Sequence, residues 1–213
     1  MTTLVGKKAP HFEADALVNG QFEDNFSLEK YIGEKYVVFY FYPLDFTFVC
    51  PTEIIAFQRR LAEFEAMNTA VVGCSVDSKH SHWAWLNTPQ KAGGIEGVHY
   101  PLVADVNKTI AMNYGVLAGH YDYDDAGNQI WIGDNGNDAV AYRGLFLIDK
   151  EGLVRHCVIN DLPLGRSIDE ALRMVKALQF NEENGEVCPA DWNEGKDGLV
   201  DTHDGIASYL GSH

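Results

Sequence analysis

Tyr36–Tyr42 (YVVFYFY) is the stretch that most constrains this chain: a continuous run of aromatic and β-branched residues that stops at Pro43. No charged residue interrupts it, so it reads as a strand covered on both faces, as in a sheet flanked by helices. The residues after Pro43 are equally restrictive. Beyond the short loop 43–49, Cys50 stands directly before Pro51. Proline suits a first helical turn, because the N–H it lacks would have no partner there. Ile54, Phe57, Leu61 and Phe64 then recur at spacings of three and four, giving one apolar face to a helix of roughly four turns.

The rest of the chain fits an α/β layout with a mixed sheet. Thr69–Val76 reads as a second buried strand, and DSKHSHWAWLN as a polar turn entering a helix whose aromatics face inward. A short strand is expected at Pro101–Ala104, then a short helix ended by Gly115. Arg143–Asp149 and Leu153–Ile159 flank the turn residues DKEG and suit a hairpin. Ser167 is placed to cap a helix over Ile168–Phe180, with Ile168, Leu172, Val175 and Leu178 on one face. Beyond Asn181 the chain is Gly-rich and short of periodic hydrophobics, so an extended arm is expected over 181–213, after a main domain over 1–180.

Residues 118–142 stand apart. They hold Asp122, Asp124, Asp125, Asp134 and Asp138 with no lysine or arginine. A calcium loop of the EF-hand kind needs an oxygen ligand at its fifth position and Glu at its twelfth; here Ala126 and Gly133 fall there. A surface hairpin or loop is the expectation.

The net charge of −15 argues against attraction to nucleic acid or to an anionic membrane. The N-terminal residues lack an apolar stretch of signal-peptide length, and the run 36–46 is too short to cross a bilayer. A cytoplasmic protein is expected. Its four cysteines (50, 74, 157 and 188) form no CxxC pair, which disfavours a zinc site. Cys74 and Cys157 lie inside apolar strand patterns and read as inert core thiols.

Cys50 is different, because a helix start exposes it to free backbone N–H groups and the positive end of the helix dipole. The dipole offers at most about 2 kcal/mol, a little more than one decade in thiol acidity. Strong activation therefore demands a cation from elsewhere in the chain.

PLDFTFVC at 43–50 matches the PxxxTxxC signature of peroxiredoxins, with Pro43, Thr47 and Cys50 in register, and PTE comes directly after it. Further matches run in order along the chain: SVDS (75–78), WLNTP (85–89), YPLVAD (100–105), RGLFLID (143–149), NDLPLGRSIDEALR (160–173) and GEVCPADW (185–192). The chain thus resembles a typical 2-Cys peroxiredoxin of the alkyl hydroperoxide reductase C kind. Only 118–142 departs, where the family usually has a much shorter loop.

The resemblance implies a thioredoxin-like fold with a mixed central sheet and reduction of hydrogen peroxide or organic hydroperoxides, with no cofactor and no metal. Cys50 would be the peroxidatic nucleophile and Arg143 the missing cation. Thr47 would hydrogen-bond the peroxide, Pro43 would shield the sulfur, and Glu53 would hold the arginine. Cys188 would resolve the Cys50 sulfenic acid of a partner subunit as a disulfide, which thioredoxin or a dedicated flavoprotein disulfide reductase would reduce. Homodimers closing into a decamer are implied as well. A holdase or structural ring role is the alternative and would not require Thr47 or Arg143. Segments tied in the family to inactivation by excess peroxide are matched only in part, by GGIEG at 93–97 and YL at 209–210.

Overall fold

The computed structural model describes residues 3–212. The chain divides into two units, one up to Ile168 and one from Asp169 onward.

In the first unit, strands β1 (Ala14–Val18) and β2 (Gln21–Phe26) form an antiparallel hairpin. β3 (Tyr36–Phe41) is next, buried at every position. Then come helices α1 (Cys50–Arg59) and α2 (Leu61–Ala66), strand β4 (Thr69–Ser75), helix α3 (Lys79–Leu86), strand β5 (Leu102–Ala104) and helix α4 (Thr109–Asn113). A separate hairpin, β6 (Gly119–Tyr123) and β7 (Gln129–Gly133), precedes strands β8 (Arg143–Ile148) and β9 (Val154–Asn160). The main sheet runs in the order β2-β1-β5-β4-β3-β8-β9. β3, β4 and β5 are parallel, and β8 returns antiparallel beside β3 with Tyr40 opposite Leu145. The mixed α/β layout expected from the sequence is the one observed.

Three elements of the first unit differ from expectation. The helix after Cys50 is broken at Arg60 (φ −106°, ψ 6°), where the Arg60 N–H turns to the Phe57 carbonyl in a tighter turn. The break leaves Ile54, Phe57 and Phe64 buried, with Leu61 half-buried at the joint. In α3 only part of the aromatic set points inward. Trp85 is buried, Trp83 is half exposed, and the other buried side chain is His82. Cys157 is half-buried on β9, an edge strand, rather than sealed in the core; Cys74, on central β4, is fully buried.

The acidic segment forms the β6–β7 hairpin. Asp124 makes its turn: its carboxylate accepts from the Ala126 and Asn128 backbone N–H groups and from the Asn128 side chain. Trp131 anchors the hairpin, packing against the core cluster and donating its indole N–H to the Asn137 carbonyl at 2.8 Å.

In the second unit, α5 (Ile168–Asn184) is longer than its apolar pattern. The arm is not wholly extended, because α6 (His203–Ser212) forms near its end. The Thr202 hydroxyl caps α6 by accepting from the Gly205 N–H at 3.0 Å. No residue of α6 is buried, and Ile206, Tyr209 and Leu210 keep helical spacing over little more than one turn.

Among the described residues no helix is long and apolar enough to cross a membrane.

Candidate active site

β3 delivers the chain to the active site and β8 delivers its cation. Because the two strands are antiparallel neighbours, the end of β3 and the start of β8 lie at the same end of the sheet. The loop 42–49 leaves β3 there, and Cys50 opens α1, with Val49 as N-cap and Pro51 in the first turn. Cys50 is fully buried, and buried Pro43 begins the loop.

Two polar side chains approach the sulfur. The Thr47 hydroxyl lies 2.9 Å from Cys50 Sγ and 2.8 Å from the Leu44 carbonyl. With its single proton on Leu44 it can accept from the thiol, and with that proton turned to sulfur it can donate to a thiolate. Arg143, at the start of β8, places Nη1 3.5 Å from Sγ. Its Nε donates to the Leu162 carbonyl at 2.6 Å and its Nη1 to Glu53 Oε2 at 2.7 Å, which fixes the plane of the guanidinium.

Glu53 is the hub of a buried ion network. Arg166 donates its backbone N–H and Nε to Glu53 Oε1, both at 2.8 Å, and Nη2 to Oε2 at 3.0 Å. Arg166 also donates Nη1 to the Gly144 carbonyl at 2.7 Å and lies 5.0 Å from the centre of the Tyr40 ring. Burial alone would raise the Glu53 carboxyl. Hydrogen bonds and charge from Arg166, with the Arg143 charge, outweigh it and hold the group below its ordinary value of 4.5. One carboxylate thereby orients two guanidiniums, and the Arg143 Nη1 that donates to Glu53 also faces sulfur.

The sequence-predicted residues Pro43, Thr47, Cys50, Glu53 and Arg143 thus come together at one end of the sheet. Cys188 belongs to the second unit. It is half-buried, and its thiol donates to the Ala177 carbonyl at 3.4 Å. Burial raises its pKa, and nearby Arg173 offsets this in part. Cys74 is raised well above the ordinary thiol range, first by burial and then by the Asp105 charge, which suits an inert core thiol.

Two parts of the site were not singled out from sequence. Arg166 sits in the quoted segment NDLPLGRSIDEALR, and an arginine just before a capped helix was the available signal. The buried contacts of His82 with Asp45 and Tyr42 gave none.

A buried thiol at a helix start, flanked by a hydroxyl and a braced guanidinium on a thioredoxin-like sheet, defines a thiol-dependent peroxidase. Residues 5–157 match the AhpC/TSA family, so the chain belongs to that family, and residues 177–212, which include Cys188, match the C-terminal domain of 1-Cys peroxiredoxin. It is 50% identical over 209 residues to peroxiredoxin-2 of Bos taurus, covering 98% of this chain and 96% of the relative. Alkyl hydroperoxide reductase C of Helicobacter pylori is 49% identical over 208 residues, covering 97% and 96%. The crystal structure of reduced Plasmodium vivax 2-Cys peroxiredoxin superposes with a TM-score of 0.86 at 43% identity, covering 99% of this chain and all of that one.

Proposed function

We propose that Cys50 is the peroxidatic nucleophile of a cycle completed by Cys188. The observation that carries this is the pair of donors on one buried sulfur, Thr47 Oγ1 at 2.9 Å and Arg143 Nη1 at 3.5 Å. The Cys50 thiolate attacks one peroxide oxygen. A sulfur–oxygen bond forms and the O–O bond breaks; the departing oxygen takes a proton and leaves as water or alcohol. Sulfur is oxidised to the sulfenic acid and the peroxide is reduced. Negative charge moves along the S–O–O axis during this step, so donors fixed beside it stabilise the transition state without reorganising. Glu53 holds Arg143 in that position, and Pro43 keeps water from the sulfur.

The thiolate of Cys188 from a partner subunit then attacks the sulfenic sulfur, forming a disulfide and releasing water. For this the first turn of α1 and the arm 181–213 unwind locally, as element ends do at least cost. Thioredoxin or a flavoprotein disulfide reductase restores both thiols. Homodimers closing into a decamer, acting in the cytoplasm on hydrogen peroxide and organic hydroperoxides, complete the reading. No cofactor is required.

Peroxide consumption by Cys50→Ser and Cys188→Ser tests it. Cys50→Ser is expected to abolish turnover, whereas Cys188→Ser completes one turnover and stalls. On a non-reducing gel after peroxide, the covalent dimer is expected from the wild type and not from Cys188→Ser. Retained turnover in Cys50→Ser would sink the mechanism.

A further inference from the structure

The loop that carries Thr47 and Cys50 is tied down at Asp45 by a cluster to which the peroxidase chemistry assigns no part. His82, fully buried on α3, has an acceptor at each ring nitrogen: Asp45 Oδ2 lies 2.8 Å from Nδ1 and the Val103 carbonyl 3.2 Å from Nε2. A carbonyl only accepts, so Nε2 carries a hydrogen. At Nδ1 the partner is a carboxyl, ordinarily the stronger acid of such a pair, and its other oxygen already accepts from the Tyr42 hydroxyl at 2.9 Å. That proton therefore also resides on the imidazole. Asp77, just after β4, completes the clamp: its Oδ2 accepts the Asp45 backbone N–H at 2.8 Å and the Ser75 hydroxyl at 2.7 Å.

The loop needs such a tether. The next residue, Phe46, has φ +55°, a left-handed conformation that is strained for a bulky side chain, and its ring is largely exposed. Its ring meets Trp85, also on α3, with centroids 5.7 Å apart. Strain persists only where the surroundings over-determine it, and here α3 supplies two holds, His82 and Trp85, beside that of Asp77.

We propose that His82 is a doubly protonated positioning residue that pins the Cys50 loop through Asp45, and that loss of its proton loosens this loop. A neutral imidazole has one donor for two acceptors, so deprotonation leaves either Asp45 Oδ2 or the Val103 carbonyl without its His82 hydrogen bond. The titratable groups facing His82 are Asp45 from the loop, Asp77 from the end of β4 and Tyr42 from the end of β3. Burial works against the charge on His82. The Asp45 hydrogen bond and charge, with the Asp77 charge, outweigh it and raise the group above 6.5. The His82 share of the hold on the loop is therefore complete below pH 6.5 and is lost as pH rises through the raised value of the folded protein. Tyr42 stays neutral throughout, raised well above its ordinary range first by burial.

This rests on Cys50 being the reacting thiol only for its meaning in catalysis; the geometry stands apart from it. The test is amide hydrogen exchange of the reduced full-length protein, read by mass spectrometry from about pH 6 to about pH 9 and corrected for intrinsic exchange. In the wild type, protection of 43–50 should fall about tenfold across that range, the weight of one charge-assisted hydrogen bond, while β4 and β8 hold constant. His82→Gln should show the low protection at every pH, with no step, and Asp45→Asn should do the same. In both, kcat/KM for hydrogen peroxide should fall while central-strand protection is kept. Wild-type loop protection independent of pH would overturn the proposal even if neither variant folds. So would a loss spread equally over β4 and β8, which would mark His82 as a core residue only. Failure of the Cys50 reading would instead appear as peroxide turnover in Cys50→Ser, with these exchange results untouched.

Discussion

Cys50 Sγ receives its two polar neighbours from chain segments that are close to it in opposite senses: Thr47 is three residues away and Arg143 ninety-three. Removing either donor should cost transition-state stabilisation. Thr47→Val is expected to lower kcat/KM for hydrogen peroxide by about a hundredfold, measured by stopped flow. Arg166 acts one step further back. Arg166→Met deletes the side-chain hydrogen bonds to Glu53 and leaves a buried carboxylate with Arg143 as its charged partner and the backbone N–H of position 166, so chemical denaturation should show a loss of about 3 kcal/mol. The Glu53 carboxyl is held below 4.5, so its stabilising share is present above that pH and disappears as pH falls through the lowered value. Stability and peroxidase rate should accordingly decline together below pH 4.5, and Glu53→Gln should remove that acid limb. Thr47, Cys50, Glu53 and Arg143 were legible in the sequence through short motifs. Arg166 and His82 were not, since each acquires its role from partners that only the fold brings close. Arg166 meets Glu53 across 113 residues, and His82 meets Asp45 across 37.

Elements were legible where periodicity is strong. β3 reads directly from its unbroken apolar run because both of its faces are covered. The break between α1 and α2 was hidden, because Ile54, Phe57, Leu61 and Phe64 keep helical spacing across it and the kink lies in the backbone at Arg60. α6 was hidden because its apolar spacing, Ile206, Tyr209 and Leu210, covers little more than one turn. The β6–β7 hairpin depends on one side chain for its seat. Trp131→Ala removes the indole that meets the core and the Asn137 carbonyl, and should cost about 2 kcal/mol in chemical denaturation. Limited proteolysis of that variant should cut first between Gly119 and Asn137.

At the scale of the whole molecule, truncation before His203 should change the unfolding free energy by no more than about 0.5 kcal/mol in chemical denaturation, because α6 contributes no buried residue. The sequence by itself determined the α/β class, the helix-start setting of Cys50 and the need for a distant cation. The first two come from local rules, apolar runs, helical spacing and proline at a first turn, and the third from the limited strength of a helix dipole. Tertiary structure decided how Arg143 reaches the sulfur, through the antiparallel return of β8 beside β3. It also decided that Glu53 braces two guanidiniums and that a buried histidine pins the reactive loop. The reason is physical. Periodicity records which face of an element is covered, whereas a buried charge is tolerated only where its partners converge, and convergence is a property of the packed chain.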